Sequence, residues 1–410
     1  MRILQGFKVV DVTAWAFVPS AGGVMAHWGA DVIKIESPKA PDPMRTMGGT
    51  LEPGGASTQF KHYSRGKRSI AIDLTTEEGR ELVYKLAAEA DVFLTSYLAP
   101  TRRKLGIDVE HIRKVNPKII YARGSGHGPK GPDADRPGYD SLSWWYRGSL
   151  GQTSMDLSNL EWPAHMVGHG DGMSGMAFAG GICAALLHRE RTGEATLVDS
   201  SLMGTAIWFN GPAIIGAQFA PTQRNPGPVK RPPPPPGAPA GLISALRTIY
   251  QTRDYRFINL LFLTDDDRDF ADFCQRIARE DLIADARFTV SRDRQANSHA
   301  LQAILEAEFA ARDFTEWKAL LARARGAWAP IQSPEEIYED PQTLANGFVR
   351  QVEYPNGGSL KVPVPPILFD EEAGDPPRAP DFAEHTDEIL TELGCDAAAI
   401  RRYREAGTVA

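Results

Sequence analysis

Short apolar runs alternate with helix-forming segments through the first 125 residues, and no other feature constrains the fold as strongly. Phe7–Val12, Asp31–Glu36, Arg68–Asp73, Asp91–Thr95 and Lys118–Ala122 read as strands. A glycine-containing segment, Ser20–Gly29, links the first two. Residues 75–90 read as a helix, with Thr75 and Glu78 at capping-box spacing and Leu82, Val83, Leu86 and Ala87 on one apolar face. Strands separated by helices predict an α/β fold: a parallel sheet with helices on both faces and right-handed crossovers.

The rest of the chain is less uniform. Residues 171–190 read as a helix rich in Gly, Ala and Ser, which permits close packing on both faces, and Thr196–Leu202 as a strand entering a helix. Residues 220–240 carry five consecutive prolines, Pro232–Pro236, and read as a linker. Leu246–Leu263 is expected to form a hairpin turning near Arg253 and Asp254. Helix 265–279 buries Phe270, Phe273, Cys274, Ile277 and Ala278, with Thr264 as its N-cap. Helices follow at 298–311 and 314–325. Ser333–Glu336 has a capping-box pattern with Pro334 at the first helical position. A proline-rich stretch, 363–380, leads to a polar helix at 384–404.

Composition excludes several classes. The 410 residues carry a net charge of −7 and no Lys/Arg-dense block, so nothing marks a nucleic-acid partner. Cys183, Cys274 and Cys395 are far apart, which argues against a zinc ribbon or redox dithiol and suits a reducing compartment. The N-terminus lacks the apolar core of a signal peptide, and the most apolar stretch, Met173–Leu187, is too short to span a bilayer. A cytoplasmic protein with no membrane or metal partner is expected.

Nucleotide and hydrolase motifs are missing. There is no phosphate-binding GxxxxGK[ST], no GxGxxG after the first strand, no HExxH and no GxSxG. His165 and His169 are four residues apart, but Pro163 and Gly168 break the helix a zinc pair needs. One string stands out, Gly168-His-Gly-Asp171-Gly-Met-Ser-Gly175, where a carboxylate sits between glycines at the start of a small-residue helix. Asp171 reads either as an ordinary N-cap or as a nucleophile beside free backbone N–H groups, with glycines opening a path for substrate.

The chain resembles the class III CoA-transferase family, the superfamily of carnitine dehydratase, formyl-CoA transferase and α-methylacyl-CoA racemase. The resemblance rests on Leu4–Asp11, Trp28–Glu36, Gly66–Leu74, Asp135–Asp140, Leu187–Gly193, Trp328–Gln332 and Glu384–Leu390, in that order. It implies a Rossmann-like large domain from both ends of the chain, 1–219 and 331–410. Between them it implies a linker at 220–240 and a smaller α+β domain at 241–330, with two chains interlocked as a homodimer. It makes Asp171 the nucleophile that moves CoA from an acyl-CoA to a carboxylic acid through a mixed anhydride and an aspartyl-CoA thioester. Such an exchange needs neither ATP nor a metal. The nucleophile must be ionised, so Asp171 is expected outside a wholly apolar pocket.

The resemblance also implies CoA contacts: Trp15, Ala16 and Phe17 at the thiol end, then Ile72, Asp73, Leu74 and Thr75, Ser96, Tyr97 and Leu98, Lys104 at the phosphates, and Arg123 and Tyr139. Ala16 stands where relatives often have a polar residue, and Lys39 is a weak substitute for an arginine absent at Ser37. Tyr139 replaces the histidine of the racemase branch, and a phenol of ordinary pKa near 10 exchanges an α-proton poorly. His127 and His169 keep a 2-methylacyl-CoA racemase open as an alternative. The glycine-rich lid of some transferases is replaced by Leu263–Asp267. With Ala16, that keeps a non-catalytic CoA-ester-binding subunit open as well. Trp144, Trp145 and Tyr146 read as packing or as an acyl-pocket wall, with Arg147 available to a second carboxylate.

Overall fold

The structure, a computed structural model, describes residues 2–154, 168–219, 244–263, 266–355 and 357–410. The expected linker at 220–240, His165 and the Thr264 cap lie outside them. The chain divides into two compact units, Met1–Val229 with Asp340–Ala410, and Lys230–Glu339.

The first unit is built on six strands: β1 (Lys8–Val12), β2 (Asp31–Glu36), β3 (Arg68–Ala71), β4 (Val92–Thr95), β5 (Ile120–Ser125) and β6 (Leu197–Ser201). All pairings are parallel, in the order β3-β2-β1-β4-β5-β6. This is the doubly wound order, which reverses direction between β1 and β4. Strand residues alternate between two cores, as their twofold period requires. Val9, Val32, Leu94 and Ala122 face one side, with Met25 of α1 (Phe17–His27). Val10, Ile33, Phe93 and Tyr121 face the other, with Leu82 and Leu86 of α3 (Glu77–Ala88). Between these helices lies α2 (Thr58–Tyr63).

Several boundaries differ from the sequence reading for identifiable reasons. Ser20–His27 belongs to α1, which Trp28 caps before the turn at Gly29, and Pro19 sits in the first turn, where a missing N–H costs nothing. Helix α3 is capped by Thr76 rather than Thr75, because Thr75 donates N–H and hydroxyl to Asp73 Oδ1. After β4 come α4 (Ala99–Leu105) and α5 (Val109–Val115), and before residue 155 α6 (Leu150–Ser154). The small-residue helix, α7, runs His169–Thr192. By length and composition alone it could cross a membrane. Here its inner face packs on α1: a Cβ at Gly175 would lie 1.5 Å from Ser20 Oγ, so only glycine allows this approach. Its outer face is not deeply packed, since Met173 and Leu187 are exposed.

The second unit pairs three short strands antiparallel, β7 (Ile249–Gln251), β8 (Phe257–Leu261) and β9 (Ala327–Pro330). Its core is aromatic, with Phe309 stacked on Trp317 at 3.9 Å. The helix expected at 265–279 covers Asp267–Arg276 and is capped by Asp266. It stops short because Ala278 takes a positive φ of 59°. At 333–336 only half the capping box forms, Ser333 N–H to Glu336, followed by a single 3-10 turn. Arg256 binds Glu336 at 2.7 Å and keeps this stretch with the second unit. The final helix is two, Thr386–Glu392 and Ala397–Glu405, parted at Gly394. Both close the second face of the large sheet through Ile389, Leu390 and Ile400. The three cysteines are unpaired.

Candidate active site

A cavity of about 580 Å³ opens at the carboxyl ends of β1, β4 and β5. This is where a doubly wound sheet leaves a crevice, because chain crossovers leave β1 and β4 on opposite faces. Ala14, Trp15 and Phe17 line it from the loop after β1; Ser96, Tyr97 and Leu98 from the loop after β4; Gly124, Ser125 and Gly126 from the end of β5. Met44, Met47 and Gln59 form another wall, and Tyr139, Asp140 and Asp171 a third. Ser96 Oγ accepts from Ala14 N at 2.9 Å and so ties the two switch-point loops together.

Asp171 is the third residue of α7, not its N-cap; Gly168 occupies that position. Three distant side chains fix this helix start. Gly168 N donates to Asp140 Oδ2 at 2.7 Å, Tyr63 Oη donates to Gly168 O at 2.8 Å, and Ser20 Oγ donates to Asp171 O at 3.3 Å. Gly170 is glycine for packing, not for substrate access: a Cβ there would lie 2.3 Å from both Asp140 Oδ1 and Trp144 Cγ. The first intrahelical bond is Gly172 N to Gly168 O, so the N–H groups before it belong to the unpaired first turn.

Burial, reinforced by the Asp140 charge, pushes the Asp171 carboxyl up to about 7. Near pH 7 the group is therefore poised between its two forms. Burial first, then Asp171 and Asp140, also holds the Tyr63 phenol protonated.

The loop bearing Trp15 stands on buried charges. Lys34 Nζ binds Asp42 Oδ2 and Thr13 O, each at 2.9 Å, and Lys67 Nζ binds Asp11 Oδ2 at 2.8 Å. Asp42 Oδ1 accepts from Trp15 N at 3.0 Å, and Arg45 grips Glu36 at 2.6 Å. Burial pushes the Asp42 carboxyl up, but Lys34 outweighs it and holds the group below its ordinary value. Trp15 has φ 74°, costly for a bulky residue. That turn places its ring edge-on to Tyr139, with centroids 5.4 Å apart.

Of the residues expected at the site, Trp15, Phe17, Ser96, Tyr97, Leu98, Tyr139 and Asp171 meet in this cavity. Ala16 does not line it; the turn at Trp15 sends its methyl into a cluster with Met44, Ala56 and Phe60. Ile72 and Leu74 are core residues behind β3, away from the cavity lining. Asp73 binds Thr75 and Lys39, whose hydrogen bonds hold it at about 2. Lys104 is exposed on α4. Arg123 pairs with Asp199 across β5 and β6 and lines a smaller neighbouring pocket with Leu98 and Arg102. Trp144 is core, and Arg147 binds Asp133 rather than facing the cavity. His127 lies 3.4 Å from Ser143, and His169 is exposed at the start of α7. Asp140 and Tyr63 were missed as site residues; for Asp140 the signal was its place in the Pro-Gly-Tyr-Asp string. No cluster of three potential metal ligands occurs among the described residues.

A doubly wound sheet with a carboxylate in the wall of its switch-point crevice has the arrangement in which α/β proteins of this strand order commonly take their ligands. Residues 4–386 match the model of CoA-transferase family III. The chain is 32% identical to (R)-2-hydroxy-4-methylpentanoate CoA-transferase of Clostridioides difficile, covering 99% of each. It is 30% identical to cinnamoyl-CoA:phenyllactate CoA-transferase of Clostridium sporogenes, covering 96% of this chain and 94% of that one. Among solved structures, a CAIB/BAIF family protein from Brucella suis superposes with a TM-score of 0.79 at 29% identity, covering 95% of this chain and 99% of that one. The chain belongs to CoA-transferase family III and is a transferase.

Proposed function

We propose that the protein moves CoA from an acyl-CoA thioester to a carboxylic acid, with Asp171 as the covalent relay. The observation that carries this reading is a half-buried carboxylate, held by its helix start in the wall of the switch-point cavity. An ionised Asp171 oxygen attacks the thioester carbonyl; the C–S bond breaks and CoA leaves as thiolate. The thiolate attacks the Asp171 carboxyl carbon, releasing the donor acid with one of the aspartate oxygens and leaving an aspartyl-CoA thioester. An acceptor carboxylate then displaces the thiolate to give a second anhydride. Return of the thiolate to the new acyl carbon yields product acyl-CoA and free Asp171. Electrons and protons balance without water entering. In this reading, first-turn N–H groups of α7, which lack intrahelical partners, stabilise negative charge on the reacting carbonyl oxygens.

The names of the relatives support transfer between acyl-CoA and carboxylic acids. In the same reading the first compact unit is the CoA-binding large domain and the second the small domain; residues 331–339, expected with the large domain, fall in the second unit. Trp15, Phe17, Ser96, Tyr97 and Leu98 line the path of the CoA arm. Trp208, 82% exposed, and Phe219, 86% exposed, are apolar surface that suits burial against a second copy of the chain, as an interlocked homodimer requires. Sedimentation should give a dimer; a monomer at micromolar concentration contradicts it. A cytoplasmic location belongs to this reading.

Acyl-CoA added without acceptor, followed by hydroxylamine, should convert Asp171 to its hydroxamate. An unmodified Asp171 peptide with every acyl-CoA tried contradicts the proposal. Because the ionised form attacks, kcat/KM should rise with pH and level off above an inflection near 7. Asp140→Asn keeps an acceptor for Gly168 N but removes a charge, so the inflection should move to lower pH. An unmoved inflection shows that Asp140 does not tune Asp171.

A further inference from the structure

We infer that this site takes apolar monocarboxylic acyl groups and rejects acyl groups that carry a second carboxylate, an inference that rests on the proposed CoA transfer. Beyond the residues assigned to the CoA arm, the cavity walls are largely carbon: Val18, Met44, Met47, Pro137 and Leu202 line it. Its ionisable acids are Asp140 and Asp171, and no Lys, Arg or His lines it among the described residues.

The arginines adjacent in sequence to lining residues are already engaged. Arg45, next to Met44, holds Glu36 at 2.6 Å. Arg102, next to Thr101, holds Asp108 at 3.1 Å. Arg123, next to Gly124, is paired with Asp199 at 2.5 Å. Arg136, next to Pro137, holds Asp133 at 2.9 Å, and Arg147 binds the same aspartate.

The reacting carboxylate of an acceptor acid faces less of this problem, because it loses its own charge on forming the anhydride. It meets Asp171 only after Asp171 has become a neutral thioester. A distal carboxylate has no such moment; it must enter an apolar cavity against Asp140 with no cation among the described lining residues, and an unpaired buried charge is strongly disfavoured.

Pentanoyl-CoA and glutaryl-CoA have the same carbon count and differ by the terminal carboxylate, so they isolate this effect. With each ester alone and hydroxylamine present, the rate of Asp171 hydroxamate formation per unit ester should be about 100-fold higher for pentanoyl-CoA. Met47→Arg, at a partly exposed point of the wall, should narrow the gap at least about tenfold by speeding glutaryl-CoA. Equal or faster labelling with glutaryl-CoA overturns this inference and leaves the transferase reading intact. No hydroxamate with any ester overturns both.

Discussion

Asp171→Asn is expected to lower kcat by at least about 10⁴-fold while making the fold more stable at pH 8. The loss follows because an amide can neither attack the thioester nor accept the CoA thiolate. The gain follows from linkage. Burial and Asp140 raise the Asp171 pKa from 3.8 to about 7 in the fold. Between those values the folded state holds more protons than the unfolded chain, so stability falls as pH rises through this window and stays reduced above it. Removing the titrating group should therefore recover about 2–4 kcal/mol at pH 8, shrinking towards nothing at pH 4. Urea unfolding at the two pH values checks this. A dead variant that is also less stable at pH 8 means that the substitution damaged the fold and that Asp171 is not held at a raised pKa.

The second large effect is expected at Asp42. Its carboxylate holds Lys34, whose side chain is 0% exposed, and also accepts the N–H of Trp15. Asp42→Ala should cost about 3–5 kcal/mol, because it strands a buried ammonium. It should also let Trp15 relax from its left-handed conformation, which costs roughly 1–3 kcal/mol to hold. Asp42→Asn retains an acceptor for Trp15 N and should perturb KM for the CoA ester less than Asp42→Ala does. Equal urea midpoints for Asp42→Ala and the parent protein contradict this account of the loop.

The sheet was legible because its signal is local: apolar runs of strand length recur between helical segments, and four of the five runs supply residues to both cores, Arg68–Asp73 supplying only the second. Asp171 was legible as a carboxylate among glycines, and the family resemblance, not the string itself, implies a role beyond an ordinary cap. The support around it was not, because it crosses long sequence gaps. Asp140 reaches Gly168 over 28 residues and Tyr63 reaches it over 105. Nothing local marks a phenol or a carboxylate for such a bond. The inward turn of Ala16 depends on the positive φ of Trp15, which a tryptophan does not advertise. Arg147 looked available to a substrate because it follows three aromatics; its real partner, Asp133, lies across a loop. Gly170 was read as a gap for substrate, when it is a seat for Trp144 and Asp140.

The central claim is that the Asp171 carboxylate exchanges its own oxygens during turnover. Pentanoyl-CoA incubated with oxygen-18-labelled pentanoate makes donor and acceptor the same compound, so no second substrate has to be identified. Each cycle should leave a labelled oxygen on the enzyme carboxylate, and the peptide containing Asp171 should become heavier by one and then two oxygen-18 substitutions. Exchange of labelled pentanoate into the CoA ester with an unlabelled Asp171 peptide contradicts the account.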